Sequence, residues 1–211
     1  THCISSAASD VYKRQLHMLL NKDPQSEKLR RTQAIANLLF QFCGMPFSDL
    51  AHLEKSNLER GLLKYNRTKT GTPMSIEVLE SAQNAIGGLY NKSDARSSGY
   101  PDYLFRILSG AYKRNEEGAY REYQSALRRF NNELKSLSRK LRLHSPVTSY
   151  TLRHSWATTA KYRGVPIEMI SESLGHKSIK TTQIYLKGFE LEERTKVNKL
   201  NYSYVCNFKM L

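Results

Sequence analysis

The longest regular pattern in this chain is a helical one. From Ala119 to Leu141 the apolar residues recur at intervals of three and four, at Tyr120, Tyr123, Leu127, Phe130, Leu134, Leu137 and Leu141. Such spacing lines up the apolar side chains along one face of an α-helix. Apolar residues make up 39% of the sequence, which is enough for a folded core. We therefore expect the long helix to pack into a mainly helical protein.

Shorter stretches with the same periodicity predict further helices on both sides of the long one. They span Glu27 to Phe42, Ser48 to Leu53, Leu152 to Tyr162, Ile167 to Leu174, Ser178 to Lys187 and Phe189 to about Leu200. Gly44 ends the first of them, because glycine readily adopts the conformation that closes a helix. The pair Gly87-Gly88 and the polar stretch from Asn91 to Pro101 predict loops.

One segment breaks the helical pattern. The run from Leu62 to Thr70 is strand-like, Gly71-Thr-Pro73 supplies a turn, and Met74-Ser-Ile76 returns as a partner strand. The sequence therefore predicts a mainly α fold with a small antiparallel β-sheet.

The chain is strongly basic. Its 33 Lys and Arg residues outnumber 19 Asp and Glu residues, for a formal net charge of +14. An excess of this size favours a polyanionic partner, most often nucleic acid. Lys and Arg also dominate the segment from Arg106 to Arg142, so the exposed face of the long helix is positive. A solvated basic face and direct contact with phosphates explain that face equally well.

Two other classes of protein are excluded by the sequence. No run approaches the roughly 18 consecutive apolar residues that a membrane span needs, so no membrane association is expected. Cys3, Cys43 and Cys206 lie far apart and include no CxxC pair. A disulfide scaffold or a cysteine zinc site is therefore not expected. We expect the protein in a reducing compartment, the cytoplasm.

The first fifteen residues differ from the rest. Thr1 to Gln15 has no apolar period, and Ser9 to Gln15 resembles a translated sequencing-adapter fragment. We interpret residues 1–15 as a non-native leader or a flexible arm, and residues 16–211 as the functional domain.

The most specific motifs lie in the C-terminal third. They are Tyr150-Thr-Leu-Arg-His-Ser-Trp-Ala-Thr158, Leu174-Gly-His-Lys-Ser178 and Thr181-Thr-Gln-Ile-Tyr185. In order and spacing they resemble the HxxR, LGH and TxxxY boxes of the tyrosine recombinase (phage integrase) family. Gly44-Met-Pro-Phe-Ser-Asp-Leu50 resembles the first arginine box of the family, and Thr68-Lys-Thr70 resembles its hairpin lysine. The resemblance runs from about residue 27 to residue 200.

The chemistry implied by this resemblance suits the residues present. Attack on a phosphodiester concentrates negative charge on the non-bridging oxygens, which cationic donors must stabilise. Arg153 offers a planar fork of donors, and His176, expected to open a helix, offers a ring N–H near a helix N-terminus. The implied nucleophile is Tyr185, and Lys69 at the hairpin tip is the general acid for the departing 5′ oxygen. No metal or cofactor is required.

Two positions depart from the family pattern. Pro46 stands at the first arginine position and Tyr150 at the HxxR histidine position. Losing a charged donor of this kind costs roughly 10²–10³ in rate. Since residues two apart on a strand share a face, we predict that Arg67 points with Lys69 at the phosphate and replaces the missing arginine. Tyr150 is predicted to neighbour the site.

The implied function is site-specific recombination of double-stranded DNA through a covalent 3′-phosphotyrosine, by an enzyme of the type found in Bacteroides-like mobile elements. The resemblance also implies a homotetramer on two DNA duplexes, a nucleoid-associated location and an N-terminal DNA-binding domain that these residues do not include.

Other interpretations remain open. Residues 166–186 could form the two helices of a non-catalytic helix-turn-helix binder, or the chain could be a degenerate recombinase that only binds DNA. Topoisomerase-like relaxation would use the same chemistry. Taken singly, Tyr185 could be a core residue, His176 a cap, Arg153 a surface ion-pair partner and Lys69 a solvated side chain; their joint order favours the catalytic interpretation.

Overall fold

Helices make up most of the structure. The computed structural model describes residues 14–90 and 100–186, together with residues 195, 198, 199, 202 and 203. After α1 (residues 14–21), the helices are α2 (Glu27–Gln41), α3 (Phe47–Ala51), α4 (Glu80–Leu89), α5 (Glu117–Lys140), α6 (Ser149–Tyr162), α7 (Ile167–Ser173) and α8 (Ile179–Tyr185). A 3₁₀ turn (Lys55–Asn57) and strands β1 (Leu58–Glu59), β2 (Leu62–Asn66) and β3 (Pro73–Glu77) lie between α3 and α4.

The main core is built around α2 and the long helix α5. Helix α2 packs against α4, α5 and α6, and its Leu38 and Leu39 are fully buried. From α5, the side chains of Phe130, Leu134 and Leu137 enter the same core. These are the residues whose spacing predicts the helix, because one apolar face must be covered for such a helix to be stable in water. The prediction of a buried face on α5 is confirmed from Tyr123 onwards, whereas Tyr120 is 64% exposed.

The sheet is a small antiparallel one with strand order β1-β2-β3. In the β2–β3 hairpin Leu63 pairs with Ile76, and both side chains are buried, whereas the paired Lys64 and Ser75 are exposed. This alternation fixes the register, since a shift of one residue would expose the apolar pair. The predicted fold class, mainly α with a small antiparallel sheet, is confirmed.

The expected loop at Gly87-Gly88 is wrong, because both glycines lie inside α4. Each glycine in a helix interior costs about 1 kcal/mol relative to alanine. Here Ala82, Ile86 and Leu89 bury one face of α4 in the main core, and this packing outweighs the weak helix propensity.

Three predicted segments lie partly or wholly outside the described residues. Of the predicted loop from Asn91 to Pro101, the structure describes only the last two residues, and of the predicted last helix it describes only residues 195, 198 and 199. Residues 1–13 of the predicted leader also lie outside it, and residues 14 and 15 belong to α1.

A second, smaller hydrophobic cluster lies where α6, α7 and α8 meet. It consists of Ala157, Ile170, Leu174 and Leu186, with Trp156 packed against it. The cluster holds the end of α7 and the end of α8 beside α6, and so brings together three segments that carry predicted site residues. Within the described residues, none of the helices has the length and apolar character that crossing a bilayer requires.

Candidate active site

Arg153 lies at the centre of the site, on the first half of α6. A capping box between Thr148 and Thr151 fixes the start of that helix. The Arg153 side chain is only 7% exposed, and its guanidinium donates to the carbonyl of Gly44 at 2.9 Å and to that of Leu174 at 2.6 Å. A buried guanidinium held by two fixed carbonyls is pre-organised to receive an anion.

Arg67 meets Arg153 at the same carbonyl. Its Nη1 also donates to the Leu174 oxygen, and its Nε lies 2.9 Å from Oδ2 of Asp49. This second contact brings the charges together without an aligned hydrogen bond. The Arg67 and Asp49 side chains are 7% and 1% exposed, so both charges are withdrawn from water and depend on each other.

The structure reaches this arrangement by a different route from the predicted one. Strand β2 ends at Asn66, and Arg67 begins a turn that its backbone closes with Thr72 and Gly71. The expectation that Arg67 and Lys69 share one strand face is therefore wrong, because residues 68–70 form a turn and the two-residue alternation stops at Asn66. Arg67 turns into the protein, while Lys69 is exposed at the hairpin tip.

Gly175 makes room for Arg67. Its φ of +65° lies in the left-handed region, and a Cβ there would come within 2.8 Å of the Met74 sulfur and 3.0 Å of Cγ and Cδ of Arg67. Glycine is needed both for the backbone conformation and for this close approach. The glycine of the LGH motif thus positions an arginine that lies over 100 residues earlier in the chain.

His176 follows at the C-terminal end of α7. The amides of Gly175 and His176 donate to the carbonyls of Glu172 and Ser171, which is the Schellman closure of a helix. The expectation that His176 opens the next helix is wrong, since α8 begins at Ile179.

The imidazole bridges two other groups of the site. Its Nε2 lies 3.2 Å from Nη2 of Arg153, and its Nδ1 lies 2.8 Å from Oγ1 of Thr182. Burial, followed by the positive charges of Arg153 and Arg67, lowers the pKa of His176 from 6.5 to about 4. The ring is thus neutral at pH 7 in this structure.

The remaining predicted residues lie around this cluster. Tyr185 is the last residue of α8; its side chain lies outside the described residues. Tyr150 is 64% exposed on the first turn of α6, one turn before Arg153. Pro46 precedes α3 and accepts the amides of Asp49 and Leu50 through its carbonyl, at 3.0 and 3.1 Å. No positive charge enters the site from position 46.

Sequence reasoning missed two residues that the structure places in contact with the site. Asp49 pairs with Arg67, and its other carboxylate oxygen accepts the amide of Thr68 at 3.1 Å. Thr182 is fully buried beside His176. Asp49 lies inside the first arginine box and Thr182 inside the TxxxY box. This position within the motifs was the sequence signal that could have identified them as site residues. Among the described residues, no group of three or more His, Cys, Asp or Glu could hold a metal ion.

Comparison with known proteins decides the family. The model of the phage integrase family matches residues 9–191. This chain belongs to the phage integrase family.

Curated relatives agree with this assignment. A probable integrase/recombinase protein of Methanocaldococcus jannaschii is 30% identical over 185 residues, which is 84% of this chain and 52% of that protein. Tyrosine recombinase XerA of Pyrococcus furiosus is 32% identical over 152 residues, 71% of this chain and 48% of XerA. The chain therefore spans about half the length of these phage integrase relatives. A Bacteroides-like origin stays a prediction.

Solved structures share the fold. The crystal structure of XerA recombinase aligns with a TM-score of 0.58 at 23% identity, covering 90% of this chain and 61% of that one. XerH recombinase in a post-cleavage complex with a palindromic difH substrate aligns with a TM-score of 0.61 at 18% identity, covering 89% of this chain and 50% of XerH. At these identities the likeness establishes the tyrosine recombinase fold.

Proposed function

We propose that this phage integrase domain cleaves and rejoins double-stranded DNA as a site-specific tyrosine recombinase. The observation that carries the proposal is the meeting of Arg67, Arg153 and His176. Two buried guanidiniums converge on the carbonyl of Leu174, and the imidazole lies 3.2 Å from one of them. Such a cluster suits one phosphate, whose non-bridging oxygens gain charge as the phosphodiester is attacked.

The proposed reaction uses Tyr185 as the nucleophile and Lys69 as the general acid. The Tyr185 oxygen attacks the scissile phosphorus, so that a Tyr–O–P bond forms, the bond to the 5′ oxygen breaks and the tyrosine proton passes to solvent. Lys69, exposed at the hairpin tip, donates a proton to the departing 5′ oxygen. Rejoining reverses both steps, because phenolate is a good leaving group. The energy of the phosphodiester is conserved, and no metal or cofactor takes part.

Arg67 supplies the positive charge of the first arginine in the family pattern, whose position is occupied by Pro46 in this chain. It donates to the same carbonyl as Arg153, and its charge acts on the same imidazole. Asp49 and Gly175 hold it there. Tyr150 is exposed near the start of α6, where its phenol can donate to DNA or to a phosphate oxygen but cannot serve as a base near neutral pH.

The proposed partners follow from the same chemistry. The net charge of +14 suits double-stranded DNA, and strand exchange between two duplexes would use a homotetramer of the complete protein. We propose a nucleoid-associated location on the same grounds.

A suicide DNA substrate, nicked so that the cleaved 5′ strand diffuses away, tests the proposal. Wild-type protein should form a denaturation-resistant covalent adduct with the DNA, and Tyr185→Phe should form none. A library of duplexes derived from the genetic element that carries the gene supplies the substrate. No adduct with any duplex, together with ordinary DNA binding, would favour the degenerate, non-catalytic interpretation.

The role of Arg67 needs a separate comparison. Arg67→Ala should lower the rate of adduct formation by roughly 10²–10³, the usual effect of losing one such donor. Arg30→Ala removes an exposed arginine that pairs with Asp23 and Glu27, and should leave the rate unchanged. An Arg67→Ala protein that cleaves at the wild-type rate would refute the substitution of Arg67 for the missing arginine.

A further inference from the structure

A buried hydroxyl joins the histidine of the site to the helix that carries the nucleophile. Thr182 lies on α8 and is 0% exposed, with its Oγ1 at 2.8 Å from Nδ1 of His176. We propose that Thr182 is a positioning residue whose hydroxyl accepts the Nδ1 proton of His176, and so fixes the orientation of the ring and holds α8 against it. This inference rests on the recombinase function proposed above, and it assigns a residue that the motif analysis did not.

The donors around the ring determine where its proton lies. Arg153 carries only N–H groups on its guanidinium, so its Nη2 can only donate to Nε2 of His176, which lies 3.2 Å away. Nε2 must then be the unprotonated, accepting nitrogen. The single proton of the neutral ring therefore sits on Nδ1 and is donated to the Thr182 hydroxyl at 2.8 Å.

The tautomer keeps the ring compatible with the two arginines. A proton on Nε2 would face the N–H of Arg153 and would leave that N–H without its acceptor on the ring. With the proton held on Nδ1, the lone pair of Nε2 helps to hold the Arg153 guanidinium in place. In the DNA-free protein His176 therefore does not present the ring N–H that the resemblance implies for a phosphate. Thr182 thus acts on the phosphate site through His176 and Arg153, without itself touching the substrate.

Thr182 also belongs to the last turn before the nucleophile. It precedes Tyr185 by three residues, so the two positions are neighbours on the helix surface. Its carbonyl accepts the amide of Leu186 at 2.9 Å, and Leu186 is buried in the small cluster with Leu174. The side chain and the backbone of Thr182 therefore fix α8 to both the imidazole and the core that supports it.

Nitrogen-15 NMR of the DNA-free protein tests the tautomer directly. At pH 7.5, long-range proton–nitrogen correlations of His176, assigned by their loss in His176→Asn, should show a protonated Nδ1 and an unprotonated Nε2. In Thr182→Val the hydroxyl acceptor is gone, so the Nδ1–H resonance should shift away from its hydrogen-bonded position and exchange faster with solvent. In Thr182→Ser the wild-type pattern should remain.

Cleavage kinetics test the consequence for the reaction. Thr182→Val should slow adduct formation on the suicide substrate by about 10- to 100-fold, the scale of a small misplacement in an active site, with unchanged DNA affinity. Thr182→Ser should retain most of the rate. Thr32→Val is the matched control, because Thr32 is an equally buried threonine, hydrogen-bonded to Glu133 at 2.9 Å in the main core; its rate should stay at the wild-type value.

Each outcome separates this inference from the function on which it rests. A wild-type ring protonated on Nε2 overturns the inference, and so does a Thr182→Val protein that cleaves as fast as Thr32→Val. Should Thr182→Val fail to fold, the wild-type tautomer and the Thr182→Ser rate decide. If the wild-type protein forms no adduct at all, the recombinase proposal fails, while the NMR result still shows whether Thr182 accepts the Nδ1 proton of His176.

Discussion

At the scale of single residues, the site depends on a buried ion pair between Arg67 and Asp49. Arg67 carries a second positive charge into the interior beside Arg153, and Asp49 compensates it at 2.9 Å. Burying either charge alone would be costly, and removing one partner leaves the other uncompensated. The pair therefore supports the fold and the site together.

The Asp49–Arg67 pair leads to a stability prediction. Asp49→Asn keeps the shape of the side chain but leaves Arg67 without its counter-charge, so the free energy of unfolding should fall by about 3–5 kcal/mol. Urea denaturation followed by circular dichroism measures it. Glu59→Gln is the control, because Glu59 pairs with Arg60 on the exposed surface at 4.0 Å and should change stability by less than about 1 kcal/mol. Equal effects of the two changes would contradict the buried pair.

His176 gives a prediction about pH. Its pKa is lowered to about 4 in the folded protein from an ordinary value of 6.5, through burial and the charges of Arg153 and Arg67. Between these two values the unfolded chain binds more protons than the folded one, so stability should fall as the pH drops from about 6.5 to 4. Urea unfolding at several pH values should show a shallower fall for His176→Asn, which cannot titrate. Parallel curves for the two proteins would speak against the lowered pKa.

At the scale of secondary structure, helix ends and a hairpin end build the site. The end of α7 presents the Leu174 carbonyl, the end of β2 presents Arg67, and the segment before α3 presents the Gly44 carbonyl. Carbonyls at helix C-termini lack intrahelical donors, so two guanidiniums can be satisfied there at once. Loops and termini thus hold the reactive groups, while α2 and α5 supply the rigid core.

Gly175 allows a prediction at this scale, with a matched control. Gly175→Ala meets both a left-handed φ and a collision with Met74 and Arg67, whereas Gly164, with a φ of +77°, would meet nothing within 4 Å. Gly164→Ala should cost only the backbone strain, about 1–2 kcal/mol. Gly175→Ala should cost more than that and should also slow DNA cleavage by displacing Arg67. Thermal unfolding and adduct formation measure the two effects; equal losses in both variants would show that Arg67 does not depend on this glycine.

How far the sequence predicts the structure depends on whether a feature is local. The predicted helices between residues 27 and 187 and the hairpin follow from periodicity and turn residues, and they are found within a few residues of the predicted ends. Helix α1 was not predicted, and the predicted last helix lies largely outside the described residues. Helix α4 was missed because its glycines oppose local helix propensity, while its burial depends on distant residues of the main core. The family motifs predicted that Arg153 and His176 belong to the site. The carbonyl of Leu174 as the meeting point of two arginines has no local signal, because it depends on segments over 100 residues apart.

At the scale of the whole molecule, the charge excess and the long helix act together. A net charge of +14 produces a positive field that attracts DNA, and each phosphate contact releases counterions into solution. Helix α5 carries the consecutive residues Arg128 and Arg129, and both are exposed. The sequence alone favours two explanations of this positive face equally: that it is solvated, or that it contacts DNA phosphates.

The salt dependence of DNA binding distinguishes the two explanations. If both arginines contact phosphates, the double change of Arg128 and Arg129 to Gln should make the slope of log affinity against log salt shallower by about 1.8, since each lost contact removes about 0.9. Changing Arg30 and Arg60 to Gln removes the same charge from residues that already face carboxylates, and should leave the slope nearly unchanged. Fluorescence anisotropy with a labelled duplex at several salt concentrations measures both. Equal slopes for the two double variants would mean that the positive face of α5 is solvated and that DNA lies elsewhere on the molecule.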